Sequence, residues 1–468
     1  MNFVSVEFFA LLGMTLFLLL VVHHRLHNII LLTASYIFYG WWNWRYLPLI
    51  IGLSIIDYVC GLAMVDRRNN ERKAILVVAL SANLLILSYF KYIDLVISSG
   101  NSIIAWLNMS IALPLQNVLL PIAISFHTFQ SMSYAIDVYR GRTKPVRNLI
   151  DYQLFVSLFP MLVAGPIERA AHLLPQVQSV RTIRQHQIAA GLTLMLLGFF
   201  KKVVIADNLA PIVDSAFNDK TGGGLAIIIA TYAFAFQIYA DFSGYTDIAR
   251  GTASLLGFDL IENFRRPYFA VNPGDFWRRW HISLSTWLRD YLYVPLGGNR
   301  HGHLRTYFAL GLTMVLGGLW HGASWTFVLW GVFHGALLIC HRLLFKRRVP
   351  SHQGSDDLGL TPARVLKAAI FFQFTCIGWL IFRAQGFDNL HDILVRLGRL
   401  DGWTDVSTLN VGLVAICAVT MFCIDAWHAI RFRVFIPLWF KLAALLLMIV
   451  AIIVLAPENM NRFIYFQF

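Results

Sequence analysis

Apolar positions along this chain come in long blocks and do not alternate. Residues 3–22, 47–65 and 438–456 are nearly unbroken apolar runs, and 411–421 with its flanks forms another. A run of about 18 or more apolar residues can cross a bilayer as a helix. A membrane β-barrel would instead need short segments of alternating hydrophobicity, and the chain has none. The pattern therefore predicts an all-α, polytopic membrane protein of about 11–13 helical segments. The first run lacks a basic leader and a small-residue cleavage site, so it is expected to be a retained helix and not a signal peptide.

Two regions break the pattern. "FVSLFPMLVAGP" (155–166) is apolar but interrupted by Pro160 and by Gly165-Pro166. Basic residues flank it on both sides, which predicts a re-entrant segment. Irregular backbone at membrane depth is tolerated only where protein or a water-filled cavity covers it. In "TMVLGGLWHGASWTFVLWGVFHGALLICH" (313–341) the apolar arm 306–319 covers roughly 21 Å at 1.5 Å per residue, short of a hydrocarbon core near 30 Å. Both flanks, "NRHGHLR" and "HRLLFKRR", are basic. The expectation is a hairpin turning within the membrane near Gly317-Gly318 and Trp320-His321-Gly322, with His321 at mid-depth.

Composition agrees: 58% of the 468 residues are hydrophobic and 13% are charged. The net charge of +13 could point to nucleic acid, but its distribution fits orientation instead, because Lys and Arg concentrate in cytoplasmic loops. Arg25, "DRRNNERK" (66–73), "YRGRTKPVR" (139–147), Arg181 and Arg184, the run from "FRRPYF" to "FWRRW", "HRLLFKRR" and "RFRVF" (431–435) are assigned to the cytoplasmic side. The acidic loop with Asp388, Asp392, Asp401 and Asp405 is assigned outside. Both termini are expected outside. Lys201 and Lys202 fit either the outer end of a span or the inside of a bend. The five cysteines lie in apolar runs without a CxxC pair and read as packing residues.

Histidine in the membrane is costly and marks a functional site unless it merely satisfies a carbonyl in the bundle. Both options stand for His321, and the second is preferred for His334. His23, His24, His301 and His303 read as loop histidines at basic edges; no metal site is expected, since no carboxylate or cysteine accompanies them at ligand spacing. In "NPGDFWRRWHISLSTWLRDYLYVPLGG" (272–298) Asp275 is a candidate helix N-cap. Trp277, Trp280, Leu284 and Leu288 recur at helical spacing. This predicts an amphipathic helix at the cytoplasmic interface, with His281 aimed at the bundle.

These residues carry a resemblance. "FWRRWHISLSTWLRDYLYVPLGGNR" followed by "GGLWHGASWTFVLWGVFHG" resembles the signature region of the membrane-bound O-acyltransferase family. "LPIAISFHTFQSMSYAIDVYRG" (120–141), "LFPMLVAGPIERA" (158–170) and "FQIYADFSGYTDIARG" (236–251) are similar to its bacterial branch, typified by alginate O-acetylation proteins. D-alanyl teichoic acid transferases and peptidoglycan O-acetylation proteins are further relatives of that branch. The resemblance spans nearly the whole chain and implies one acyltransferase domain, 1–468, with a central tunnel through the membrane. It puts His321 at the essential-histidine position and His281 at a second conserved polar position. It also implies acetyl-CoA as donor, a polysaccharide acceptor outside a bacterial inner membrane, and a periplasmic SGNH-type or related O-acetyltransferase as partner, with no nucleic acid. Membrane lipids surround it.

"FIYFQF" (463–468) is similar to the FxYxxF tail of this branch, and Tyr465 matches its tyrosine. A tail at 457–468 on the outer side offers an acyl relay between a cytoplasmic donor and an external acceptor. Phenol has a pKa near 10, below that of a sugar hydroxyl, so an acetyl-tyrosine ester keeps transfer potential toward a carbohydrate. A neutral phenol needs a base within reach to attack a thioester, and His321 is the candidate. An interfacial aromatic belt or a plug against neighbouring helices are the alternatives. No dinucleotide or P-loop glycine motif is present. Donor phosphates would meet Arg265, Arg266, Arg278 or Arg279, as guanidinium suits phosphate, unless these only set topology or touch lipid headgroups. Lipid or protein acyl transfer is the competing activity in the superfamily. A transporter would show two related halves with broken helices, and no such symmetry is seen.

Overall fold

A computed structural model of the chain describes residues 1–163, 165–218, 223–345, 361–399, 401–402, 406–430, 437–458 and 463–464. Among the described residues every regular element is helical. Eight helical stretches are long and apolar enough to cross a membrane, among them Asn69–Trp106, Gln185–Asn218, Gly224–Leu255, Pro362–Arg383 and Leu438–Leu455. Val6–Val21 is a shorter apolar helix. Helix starts follow capping chemistry: Ser5, Ser324 and Thr361 accept from backbone N–H groups of the first turns they precede, which satisfies donors that have no partner inside the helix. All five cysteines are free thiols.

The chain packs as two compact units. The first comprises Met1–Met195 and Thr246–Ile261, the second Leu196–Tyr245 and Glu262–Phe468.

In the first unit the helices His27–Asn43, Leu47–Ala63 and Ile124–Tyr139 surround the segment expected to be re-entrant. That segment consists of two short helices, Leu149–Ser157 and Phe159–Leu162, which break at Leu158 just before Pro160. From Tyr152 to Leu162 it is buried. A broken helix frees backbone groups that must find partners when covered. Here Ser35 Oγ accepts from the Phe159 N–H at 3.0 Å, and Gln130 Nε2 donates to the Phe155 carbonyl at 2.6 Å. The unit also buries Asp57, both of whose oxygens accept from Asn83 Nδ2 at 2.9 Å. Near its polar edge, Glu168 accepts from the Ile261 N–H at 2.8 Å and pairs with His172 Nδ1 at 2.8 Å.

The second unit is organised around the part of Gly224–Leu255 that precedes Thr246. Small residues on it, Ala230, Ala233, Ala235 and Ala240, are fully covered by neighbours in one large apolar core. Gly244 faces Lys201 and Lys202 so closely that a methyl group there would meet the Gly198 carbonyl at 2.8 Å. Those lysines lie in a π-helical turn, Phe200–Ala206, inside the Gln185–Asn218 stretch. Such turns insert one residue into the helical ladder and re-aim side chains.

The expected hairpin is present, with helices Gly302–His321 and Trp325–Leu344 reversing at 322–324. Gly318 and Gly331 let the two backbones touch: a Cβ on either would collide with main chain of the opposite arm. The first arm begins at Gly302, earlier than the apolar run, so it has 20 residues and a rise of about 30 Å. Among the described residues it is nonetheless not one of the stretches apolar enough to cross a membrane. His321 is the last residue before the reversal.

The expected single amphipathic helix is corrected. Asn272, not Asp275, is the N-cap; its side chain accepts from the Asp275 N–H. Two short helices follow, Pro273–Trp277 and Ile282–Leu288, separated at His281, which has a left-handed φ of 42°. A π-helical turn, Arg289–Tyr293, closes the segment. Trp280, Leu284 and Leu288 are buried in the unit, so this face packs against protein and not against a membrane surface.

Candidate active site

A non-glycine residue in the left-handed region is held against its steric preference and persists only when its surroundings over-determine it. At His281 that support comes from Asn263, which is fully buried. The Asn263 carbonyl accepts from the Ile282 N–H at 2.8 Å, and its Oδ1 accepts from the Ser283 N–H and hydroxyl at 3.1 and 2.9 Å. The break is thus fixed, and it drives the imidazole inward, where His281 is 0% exposed.

The hairpin brings His321 to the same place. Its ring is 4% exposed and lies 6.5 Å from that of His281 between centroids, with the planes at 50°. The two imidazoles are therefore near neighbours inside the second unit. The walls are aromatic. Trp320, Trp330 and Phe382 lie 5.1, 5.0 and 5.4 Å from His321. Phe242 and Trp320 lie 4.7 and 5.9 Å from His281. The buried Trp330 indole N–H makes no hydrogen bond among the described residues.

His334 stands apart from this pair. It is buried in a cage of Trp330, Trp277 and Phe276, at 4.6, 5.2 and 6.1 Å, and its Nδ1 makes no hydrogen bond among the described residues. No cluster among the described residues has the make-up of a metal site. The four arginines diverge. Arg265 pairs with Glu262 at 2.7 Å and Arg278 with Asp275 at 3.5 Å, and both are about half exposed. Arg279 is largely covered and pairs with Asp275 at 3.0 Å. Arg266 is buried in a left-handed conformation.

Tyr465, Phe466 and Phe468 lie outside the described residues. The two residues before Tyr465 are described and buried. The Phe463 ring packs on Tyr245 at 4.5 Å and on Phe242 at 5.5 Å. The Ile464 N–H donates to Asp241 Oδ2 at 2.8 Å. Phe242 therefore touches Phe463 on one side and His281 on the other.

The sequence did not reveal what holds Asp241. Lys202, 1% exposed, reaches Asp241 Oδ1 at 2.7 Å and Asp207 Oδ1 at 2.8 Å, with its ammonium 5.5 Å from the Tyr245 ring centre. The one available signal was a lysine in an apolar run, which is costly without a partner, but its two acids could not be read from local spacing.

A family model, the membrane-bound O-acyltransferase family, matches residues 36–383. The chain belongs to that family. It is a multi-pass membrane-bound O-acyltransferase, and the match includes Lys202, Asp241, His281 and His321. The chain is 43% identical over 390 residues to the probable alginate O-acetylase AlgI of Azotobacter vinelandii, covering 82% of this chain and 75% of that protein. It is 39% identical to the corresponding protein of Pseudomonas putida over 95% of each chain. The peptidoglycan O-acetyltransferase of Helicobacter pylori is 37% identical over 80% of this chain and 74% of its own length.

Proposed function

We propose that this O-acyltransferase carries acetyl groups from cytoplasmic acetyl-CoA to a polysaccharide outside the inner membrane, with Tyr465 as the relay. An alginate-type exopolysaccharide is the favoured acceptor, on the strength of the relatives named above. His321 takes the phenolic proton of Tyr465 as the phenolate attacks the thioester carbonyl. The C–S bond breaks, the proton passes to the departing thiolate, and coenzyme A leaves with acetyl-tyrosine formed. His281, across the same gap, orients the acyl group. The Trp330 N–H is a donor for the carbonyl oxygen as it gains charge, the kind of preorganised contact that stabilises acyl-transfer transition states. In the second half a sugar hydroxyl, activated by a periplasmic partner transferase, attacks the ester, and the phenol is restored.

The observation that carries this reading is the seating of Phe463 and Ile464 on the helix that also walls His281. It brings the chain, as far as residue 464, onto the helix whose Phe242 touches His281. From Ala456, just past the last helix, nine residues reach at most about 30 Å when extended. Both histidines are enclosed, so the reading requires a passage for the donor from one side and the tail from the other. Arg265 and Arg278, half exposed, remain the better placed of the four arginines for donor phosphates.

The test is Tyr465→Phe. Polymer acetylation should vanish while expression and monodispersity are unchanged, and mass spectrometry of the C-terminal peptide should lose its acetylated form. Normal polymer acetylation in that variant rejects the relay.

A further inference from the structure

Asp241 and Lys202 have no place in the chemistry just described, yet they form the most heavily charged buried cluster of the second unit. Two carboxylates, Asp207 and Asp241, share one ammonium. Buried ion pairs are weak evidence for stability, because desolvation offsets most of the attraction. Lys202 already has a partner in Asp207, five residues on in the same stretch. Helix packing alone gives no reason for a second acid on the neighbouring helix.

The second oxygen of Asp241 supplies that reason, since it receives the Ile464 N–H. Lys202 holds one oxygen of the carboxylate and so aims the other at the incoming tail. The π-helical turn places Lys202 for this, and Gly244 lets that turn lie against the Asp241 helix. The aromatic slot beside it, Phe242 and Tyr245, takes Phe463. Two kinds of contact thus grip successive tail residues: a ring in a slot at 463, then a main-chain N–H on a carboxylate at 464. Tyr465 comes next.

We infer that the Lys202–Asp241 pair is the receptor for the tail, a positioning device that sets the register at which residue 465 enters the site. The inference rests on the relay reading for its purpose, but not for its geometry. It makes tail recognition depend on the backbone at 464 and on an aromatic ring two residues before the tyrosine. The Ile464 side chain, buried in the apolar core, adds packing but not the directional contact. Hydrogen bonds to charged groups are the strong ones, so losing this one should matter more than losing a neutral contact.

The experiment uses the full chain in detergent with acetyl-CoA. Two readouts are taken from the same preparation: hydrogen exchange of the C-terminal peptide, and the rate of Tyr465 acetylation by mass spectrometry. Ile464→Pro removes the donor and leaves the side chains of the charge cluster in place; because Ile464 is itself buried in the apolar core, Ile464→Ala, which keeps the N–H, is the control for lost packing. Ile464→Pro should speed exchange in the tail peptide and slow Tyr465 loading by about tenfold or more, with exchange in Gly224–Leu255 unchanged. Asp241→Ala should also speed tail exchange and slow loading, with added exchange in its own helix because Lys202 loses a buried partner, and Asp241→Asn, which keeps an acceptor but drops the charge, should fall between. Ile464→Val should behave as wild type. Wild-type tail protection and loading in Ile464→Pro would overturn the receptor, as would faster tail exchange with loading unaffected. If the unmodified chain never carries acetyl on Tyr465, the relay reading fails by itself. Tail exchange in Ile464→Pro and Asp241→Asn then decides the receptor alone: faster exchange upholds it and unchanged exchange rejects it.

Discussion

The two compact units both contain a buried helix break, and they use it differently. At Leu158 in the first unit the freed backbone groups are taken by Ser35 and Gln130. His127 lies beside the same segment, its Nδ1 at 3.4 Å from the Val156 carbonyl and its Nε2 at 3.5 Å from Ser54 Oγ. At His281 in the second unit the break is fixed from behind by Asn263, and the imidazole faces another imidazole. The first break spends its polar side chains on the backbone. The second uses a side chain to fix the backbone and turns the imidazole toward another imidazole. Burial alone does not distinguish His127 from His281; the direction of the supporting hydrogen bonds does.

The comparison is broken most directly by alanine at the three histidines. His321→Ala should reduce Tyr465 loading by about 10²–10⁴-fold, the usual contribution of a positioned base, with the protein still folded. His281→Ala should reduce loading by a smaller factor, about 10–100-fold, again with little change in thermal stability. His127→Ala should do the reverse, lowering the melting temperature while loading per folded molecule stays near wild type. Loading kinetics and thermal unfolding of the same detergent samples measure both effects. A catalytic loss in His127→Ala equal to that in His281→Ala would erase the contrast between the breaks.

A second pair of substitutions sharpens the structural side. Gly318→Ala forces a methyl into the opposite arm of the hairpin that carries His321. Overpacking of this kind costs about 1–3 kcal/mol, and because the arm ends at His321 it should lower loading as well as stability. Ser35→Ala leaves the Phe159 N–H buried without its acceptor, for about 1–3 kcal/mol, and should lower stability only. Comparing melting temperature with loading rate for the two variants checks the split.

Much of this was legible in the sequence for physical reasons. Long apolar runs mark spans because the bilayer punishes anything else. Proline marked the break within 155–166 and Gly322 the reversal at 322–324, whereas Gly317 and Gly318 lie inside a continuous helix. A histidine in an apolar run was conspicuous for its cost, which is why His321 stood out. The break at His281 was not legible. The apolar spacing Trp277, Trp280, Leu284, Leu288 continues across it, and nothing in a histidine announces a left-handed backbone; Asn263, eighteen positions earlier, imposes it. The cap was misplaced because Asn272 and Asp275 are both good caps, and the sequence does not rank them. The Lys202–Asp241 pair joins residues 39 positions apart on separate helices, a contact that periodicity cannot carry. The Tyr465 tail remained visible only through its similarity to a family motif.

The smallest expected effect concerns the charges of the first unit, which, unlike Lys202 and Asp241, are tied up in structure. Glu168 is fully buried and holds the Ile261 N–H and His172. The hydrogen bond to Glu168 raises the His172 pKa above its ordinary 6.5, against a smaller opposing effect of burial. A histidine whose folded pKa is raised stabilises the fold fully below the unfolded value and loses that contribution as pH climbs through the folded value. His172 is about a third exposed, so solvent screens the pair and the effect is modest. The difference in melting temperature between wild type and His172→Gln should therefore be largest below about pH 6.5 and shrink as the solution becomes alkaline. The loading rate per folded molecule should not follow the same curve, because this ion pair anchors backbone within the first unit. A melting difference that grows with pH would mean that His172 is neutral in the fold and that Glu168 is held by something else.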